Sequence, residues 1–154
     1  AGECDALLLA AAGLARLGLT PKHVLPLPPE VFVPAVGQGV LALEARADDV
    51  ATLAALRGLD HAPTRACATA ERAFLARLGA SCVTPMAAHA RLVGGRLTID
   101  GLVAGEDGRE VLRERAEGDA GDAEALGRRV AEALLARGAA TLVALRPAGV
   151  SGGR

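Results

Sequence analysis

Met86-Ala87-Ala88-His89-Ala90-Arg91-Leu92-Val93-Gly94-Gly95-Arg96-Leu97-Thr98-Ile99-Asp100-Gly101-Leu102-Val103 is the stretch that decides the fold. Met86, Ala88, Ala90 and Leu92 alternate with more polar neighbours, and Leu97, Ile99, Gly101 and Val103 do the same. A period of two is the mark of strands with one face turned to a core. Gly94-Gly95 between them is a two-residue turn of the kind that needs positive φ. Asp107-Gly108, within Gly105 to Gly108, repeats the hairpin signal, and the changed period spans Val83 to Ala116. Three antiparallel strands joined by two tight turns follow from this pattern.

On either side the period becomes helical. Asp48 to Leu56 opens with two acids, which suit a helix N-terminus, and Gly58 closes it. From about Pro63 to Leu78 an apolar stripe of Ala66, Ala70, Ala73, Phe74 and Leu78 ends at Gly79. Asp122 to about Arg137 carries Leu126, Val130, Ala133 and Leu134 on one face before Gly138, and Leu142 to Leu145 reads as a short strand. Helices laid on one face of a three-stranded antiparallel sheet make an α+β domain, which we expect over residues 48–146, with a frayed tail at 147–154.

The amino-terminal third is organised differently. Asp5 to Leu17 has helical spacing that demands a partner surface, with Gly18 as its stop. Pro21, Pro26, Pro28 and Pro29 then favour an extended connector. Val31 to Val33 and Val40 to Leu43 read as strand around Pro34-Ala35-Val36-Gly37-Gln38-Gly39, where two glycines permit a close backbone approach and display the Gln38 amide. A tight bend explains the same glycines without any ligand.

Composition narrows the function classes. Of 154 residues 51% are hydrophobic and 23% charged, with a net charge of −1, which disfavours nonspecific nucleic-acid binding. Phe32 and Phe74 are the only aromatic residues, too few for a base-stacking platform. Ala6 to Ala12 is the longest apolar run, far short of the roughly 20 residues of a membrane span. The opening Ala1-Gly2-Glu3-Cys4-Asp5 is unlike a secretory signal, so a cytoplasmic location is expected. Cys4, Cys67 and Cys82 are widely spaced and odd in number, and His23, His61 and His89 are scattered, which favours neither a disulfide framework nor a metal site. Met86 is the sole methionine, and we expect a longer protein of which this chain is a part.

Among the cysteines, Cys82 is set apart by its context, Gly79-Ala80-Ser81-Cys82-Val83-Thr84-Pro85. Small residues leave its sulfur uncrowded, and a thiol there becomes a nucleophile once a cation such as Arg72 or Arg77 favours the thiolate. An inert, small, hydrophobic cysteine fits the same residues. Cys67 lies within the apolar stripe and reads as core.

The run from Glu71 to Ala87, Glu71-Arg72-Ala73-Phe74-Leu75-Ala76-Arg77-Leu78-Gly79-Ala80-Ser81-Cys82-Val83-Thr84-Pro85-Met86-Ala87, resembles the signature of the porphobilinogen deaminase family, also called hydroxymethylbilane synthases. Asp5 to Leu19 is similar to that family's Ala-rich helix ending in Arg-Leu-Gly-Leu, and Pro34 to Glu44 to its Pro-Ala-Val-Gly-Gln-Gly strand. Ala80 departs from the Gly found there in many members and stiffens the loop slightly.

The resemblance implies an enzyme that condenses four porphobilinogen molecules, with loss of ammonia, into hydroxymethylbilane for haem and other tetrapyrroles. It implies that Cys82 carries a covalent dipyrromethane cofactor through a thioether, a tether that replaces a bimolecular encounter at each addition. Gln38 is expected to face the cofactor cleft. The family's catalytic Asp and most of its substrate-binding arginines belong to two lobes that resemble periplasmic binding proteins and are missing here. Residues 1–20 would end the second lobe, 21–47 would carry a connector and a strand crossing back to the first, and 48–146 would form the cofactor-attachment domain. A monomer, inactive without those lobes, is the expectation. A noncatalytic α+β ligand-binding or regulatory module is the competing reading, and a thiol redox or acyl-transfer enzyme the third.

Overall fold

Phe74, Leu97, Ile99, Val103, Val130 and Leu134 are the largest fully buried side chains, and the architecture is the arrangement that brings them together. Burying each of them contributes on the order of 1.5–3 kcal/mol relative to leaving it in water. The computed structural model describes residues 4–79 and 85–143. In chain order its elements are α1 (Ala11–Arg16), α2 (Val50–Leu56), α3 (Ala62–Leu78), β1 (Met86–Val93), β2 (Arg96–Ala104), β3 (Val111–Asp119), α4 (Ala123–Ala136) and α5 (Ala139–Val143).

The sheet has the order β1-β2-β3 and is antiparallel throughout, with Ala90 opposite Ile99 and Ile99 opposite Ala116. Leu97, Ile99, Gly101 and Val103 are buried on one face, as their alternation predicts, and α3 and α4 cover that face. Gly94 and Gly95 have φ of 59° and 82°, and the turn they form sets Val93 opposite Arg96. The second connection is longer than the tight turn expected around Asp107-Gly108. It spans residues 105–110, closed by the Gly105 amide on the Glu110 carbonyl at 2.9 Å, with Asp107 Oδ1 accepting from the Arg109 amide at 3.0 Å.

α3 begins with Pro in its first turn and stops at Gly79 in the left-handed region, φ 65°. Ala70, Phe74 and Leu78 recur every four residues, so they share one side, which meets α4 through Leu126, Gly127, Val130, Ala131 and Leu134. Asp49 caps α2: Oδ1 accepts from the Thr52 amide at 3.0 Å and Oδ2 from the Thr52 hydroxyl at 2.8 Å, which holds this carboxyl below the usual range.

Three expectations are corrected. Of the strand expected at Leu142 to Leu145, the described residues 142 and 143 are helical instead, as part of the turn α5 (Ala139–Val143), and Leu142 packs against the core. A four-residue apolar run does not distinguish helix from strand by period, and the alanines after Gly138 favour helix. Residues 31–33 and 40–43 are not strands, since a strand persists only where a ladder partner takes its backbone groups, and no described residue pairs with them. The helix expected from Asp5 is confined to Ala11–Arg16 and buries no residue, as suits a short segment without a packing partner. Leu145 and the 147–154 tail lie outside the described residues.

Candidate functional site

α3 and β1 bracket Cys82, and residues 80–84, with Cys82 among them, lie outside the described residues. On one side α3 ends at Gly79, where a Cβ would meet nothing within 4 Å. On the other, the Pro85 carbonyl accepts from the Ala104 amide at 2.9 Å and starts the β1-β2 pairing. Of the two cations near Cys82 in sequence, Arg77 donates from Nε to Glu132 Oε1 at 3.1 Å across α3 and α4, and Arg72 is exposed.

The Gly37-Gln38-Gly39 turn is the second part. Both glycines have positive φ, 74° and 82°, which non-glycine residues rarely adopt. The Val40 amide donates to the Gly37 carbonyl at 3.1 Å and the Gln38 amide to the Ala35 carbonyl at 3.0 Å. Gln38 is exposed, and its Oε1 accepts from the Ala35 backbone amide at 3.2 Å. The oxygen therefore braces the turn and leaves the side-chain NH2 as the group available to an acceptor. Beside both glycines a Cβ meets nothing within 4 Å, so the turn borders open space.

What joins these parts is a residue given no role by the sequence reading. Glu71, on α3, is 5% exposed and is the buried charged residue of the described core. Its Oε2 accepts from the Gly37 amide at 2.7 Å, and its Oε1 accepts from the Ala90 amide of β1 at 2.8 Å. His89 Nδ1 stands 4.0 Å from Oε1. A charged residue next to Ala70 and one turn before Phe74 was the available signal: position 71 borders the apolar stripe, where a carboxylate must find donors.

The remaining candidates are accounted for. Cys67 packs against the core, and its thiol is pushed up first by burial and then by the negative charge of Glu71, which favours the thiol over the nucleophilic thiolate. On the sheet face away from the helices, Arg91 pairs with Glu30 and with Asp100, and Arg115 reaches Asp100 at 3.7 Å. Arg113 donates to the carbonyls of Glu30 at 3.3 Å and Val31 at 2.8 Å. These guanidiniums hold the 30–33 segment and one another's partners. Among the described residues no cluster of three or more His, Cys, Asp or Glu is placed to hold a metal ion, and no helix is long and apolar enough to cross a membrane.

Two family models match the chain. Residues 1–54 match porphobilinogen deaminase, dipyromethane cofactor binding domain, and residues 65–136 match porphobilinogen deaminase, C-terminal domain. The chain is 50% identical over 143 residues to the porphobilinogen deaminase of Chromobacterium violaceum, covering 93% of this chain and 46% of that protein. It is 48% identical over 148 residues to that of Desulforudis audaxviator and 47% identical over 147 residues to that of Thiobacillus denitrificans, in each case 96% of this chain and 48% of the relative. The chain thus spans about half the length of the curated relatives it matches.

Proposed function

The chain belongs to the porphobilinogen deaminase family, and from that premise we propose that it is the carboxy-terminal part of a hydroxymethylbilane synthase, the transferase that condenses four porphobilinogen molecules into hydroxymethylbilane. The observation that carries this reading is the Cys82 run itself. It spans 71–87, inside the stretch matched by the family's C-terminal domain model.

In this reading Cys82 is the attachment point of the dipyrromethane. Its sulfur would hold the cofactor as a thioether, with water leaving from the hydroxymethyl group of the incoming pyrrole, and the three small residues before it in sequence suit a bulky substituent. Gln38 contributes an amide donor from the segment matched by the cofactor-binding model. Among the described residues a Cβ at Gly37, Gly39 or Gly79 would meet nothing within 4 Å, which supports the fit. Bound there, the dipyrromethane supplies the pyrrole carbon from which the product chain is extended. The protein's share is to keep that end fixed, which turns each addition into a reaction between held partners.

The domain organisation follows the same proposal. Residues 1–20 close a lobe that resembles those of periplasmic binding proteins, 21–47 cross toward another, and 48–146 form the attachment domain. Leu7, Leu8, Leu25 and Leu41 are each at least 66% exposed, which supports packing of this stretch against protein beyond the chain. The catalytic Asp and the arginines for the acetate and propionate groups then belong to those lobes. The working enzyme is a cytoplasmic monomer, and the present chain alone is inactive.

Intact-mass measurement on the protein expressed from the complete reading frame tests this. After incubation of the cofactor-free protein with its tetrapyrrole product, the wild type gains that tetrapyrrole on Cys82 with loss of water, and after turnover of porphobilinogen and release of a new tetrapyrrole it retains a dipyrrole there. A Cys82→Ser protein that still gained the adduct would overturn the assignment.

A further inference from the structure

Resting on the deaminase reading, we propose that Glu71 is a positioning residue for the condensation, latching the Gly37 turn of the crossing segment to the free edge of the attachment domain's sheet. Both oxygens of one carboxylate are used, each by a backbone amide far away in sequence. Gly37 is 34 residues from Glu71 and donates at 2.7 Å; Ala90 is 19 residues away and donates at 2.8 Å.

Ala90 lies on β1, which among the described residues pairs with β2 alone. Its outward amide has no strand to bond, and Glu71 satisfies it as a neighbouring strand would. Gly37 brings the other donor in a conformation that only glycine adopts freely, φ 74°, so the turn is shaped to aim this amide at α3. Val36 beside it packs against the core, which seats the turn with one apolar contact and one hydrogen bond to a carboxylate. A buried carboxylate whose only task was to fill space would be replaced by an apolar side chain without loss. Here it is the shared acceptor of two segments that make no direct backbone hydrogen bond to each other.

The geometric consequence concerns the reaction. From Glu71, α3 runs seven residues to Leu78, roughly 10 Å at an α-helical rise, and Cys82 follows four residues later in sequence. Fixing Gly37 to Glu71 therefore fixes the turn that bears Gln38 relative to the helix that leads to the tether. A loosened latch leaves the tether loaded but misplaces it with respect to the partners it must meet.

The test uses the full-length enzyme, wild type against Glu71→Gln and Gly37→Val, with three readouts: adduct mass on Cys82, steady-state kinetics with porphobilinogen, and amide hydrogen exchange of residues 34–40. Gln keeps the size of the side chain but presents an NH2 to one of the two backbone donors. Val opposes the positive φ of the turn without touching the α3 core. Expected are full cofactor loading and an unchanged KM in both variants, a kcat reduced about tenfold or more, as a misplaced reacting group produces, and faster exchange at 34–40. Accumulation of partly extended chains on Cys82 accompanies the lower kcat. The latch is overturned if both variants keep the wild-type kcat, or if activity falls only in proportion to lost cofactor loading, which marks a purely structural role. Should Glu71→Gln fail to fold, Gly37→Val and the wild-type exchange rates decide, and an unprotected Gly37 amide in the wild type overturns the proposal. A wild-type protein that neither acquires the adduct nor consumes porphobilinogen overturns instead the deaminase reading beneath it.

Discussion

The backbone of Gly127 on α4 lies against the carbonyl of Ala70 on α3: a Cβ added at Gly127 would collide with the carbonyl oxygen and stand 2.9 Å from its carbon and 3.0 Å from the Phe74 nitrogen. These obstacles are backbone atoms inside a helix and do not swing aside. Gly127→Ala must therefore push the two helices apart, and overpacking of this kind costs on the order of 1–3 kcal/mol or more. Urea unfolding followed by circular dichroism should show a lower midpoint with an unchanged slope. A wild-type midpoint would mean that α3 and α4 do not touch here.

Gly101 has a related role on β2. A Cβ there would meet Val130 Cγ1 at 2.6 Å and Phe74 Cε2 at 2.7 Å, both ends of side chains that can yield. Gly101→Ala should cost about 1–3 kcal/mol. Part of that loss should be recovered when Phe74→Leu removes the ring edge in the same chain, although Phe74→Leu alone is destabilising. A double-mutant cycle measures this, and strictly additive effects would show that ring and glycine do not compete for the same space.

The elements legible in the sequence are those whose signal is local. β1 and β2 announce themselves by alternation around Gly94-Gly95, and α3 and α4 by stripes that end at Gly79 and just before Gly138. Elements whose deciding partner is remote carry no such local signal. Residues 31–33 and 40–43 have strand composition but no ladder partner among the described residues, and Leu142 belongs to the helical turn α5 with its side chain against the core. The site divides in the same way. Cys82 is visible only as a motif and lies outside the described residues, and the Gln38 turn is visible through its glycines. Glu71 is marked locally only by its place at the border of the α3 apolar stripe, and its two donors, at positions 37 and 90, are remote in sequence.

Cys67 gives a prediction about pH. Burial, and next the charge on Glu71, raise its folded-state value, so the folded protein favours the thiol where the unfolded chain would favour the thiolate. That preference contributes stability while both states are protonated and is lost as pH rises from the ordinary thiol value, roughly 8.5, through the raised one. Wild-type stability should therefore fall on the alkaline side, and Cys67→Ala should flatten that slope. At neutral pH iodoacetamide should label the exposed Cys4 well before Cys67, and equal rates would contradict the core assignment.

Arg113 clamps the 30–31 backbone to the outer sheet face through two carbonyls, Glu30 at 3.3 Å and Val31 at 2.8 Å, one from each terminal nitrogen of its guanidinium. A planar fork reaches two acceptors at once, whereas an ammonium on a flexible stem holds them poorly. Arg113→Lys should thus keep the charge yet release the segment. Hydrogen exchange at residues 29–35 should accelerate while α3 and α4 keep their protection, because Arg113 is exposed and lies on the face away from the helices. Arg91 provides the control: it holds the same segment through the Glu30 side chain, so Arg91→Lys, which preserves an ion pair, should disturb exchange less than Arg113→Lys. The reverse order would place the hold on the Glu30 carboxylate and not on the backbone carbonyls.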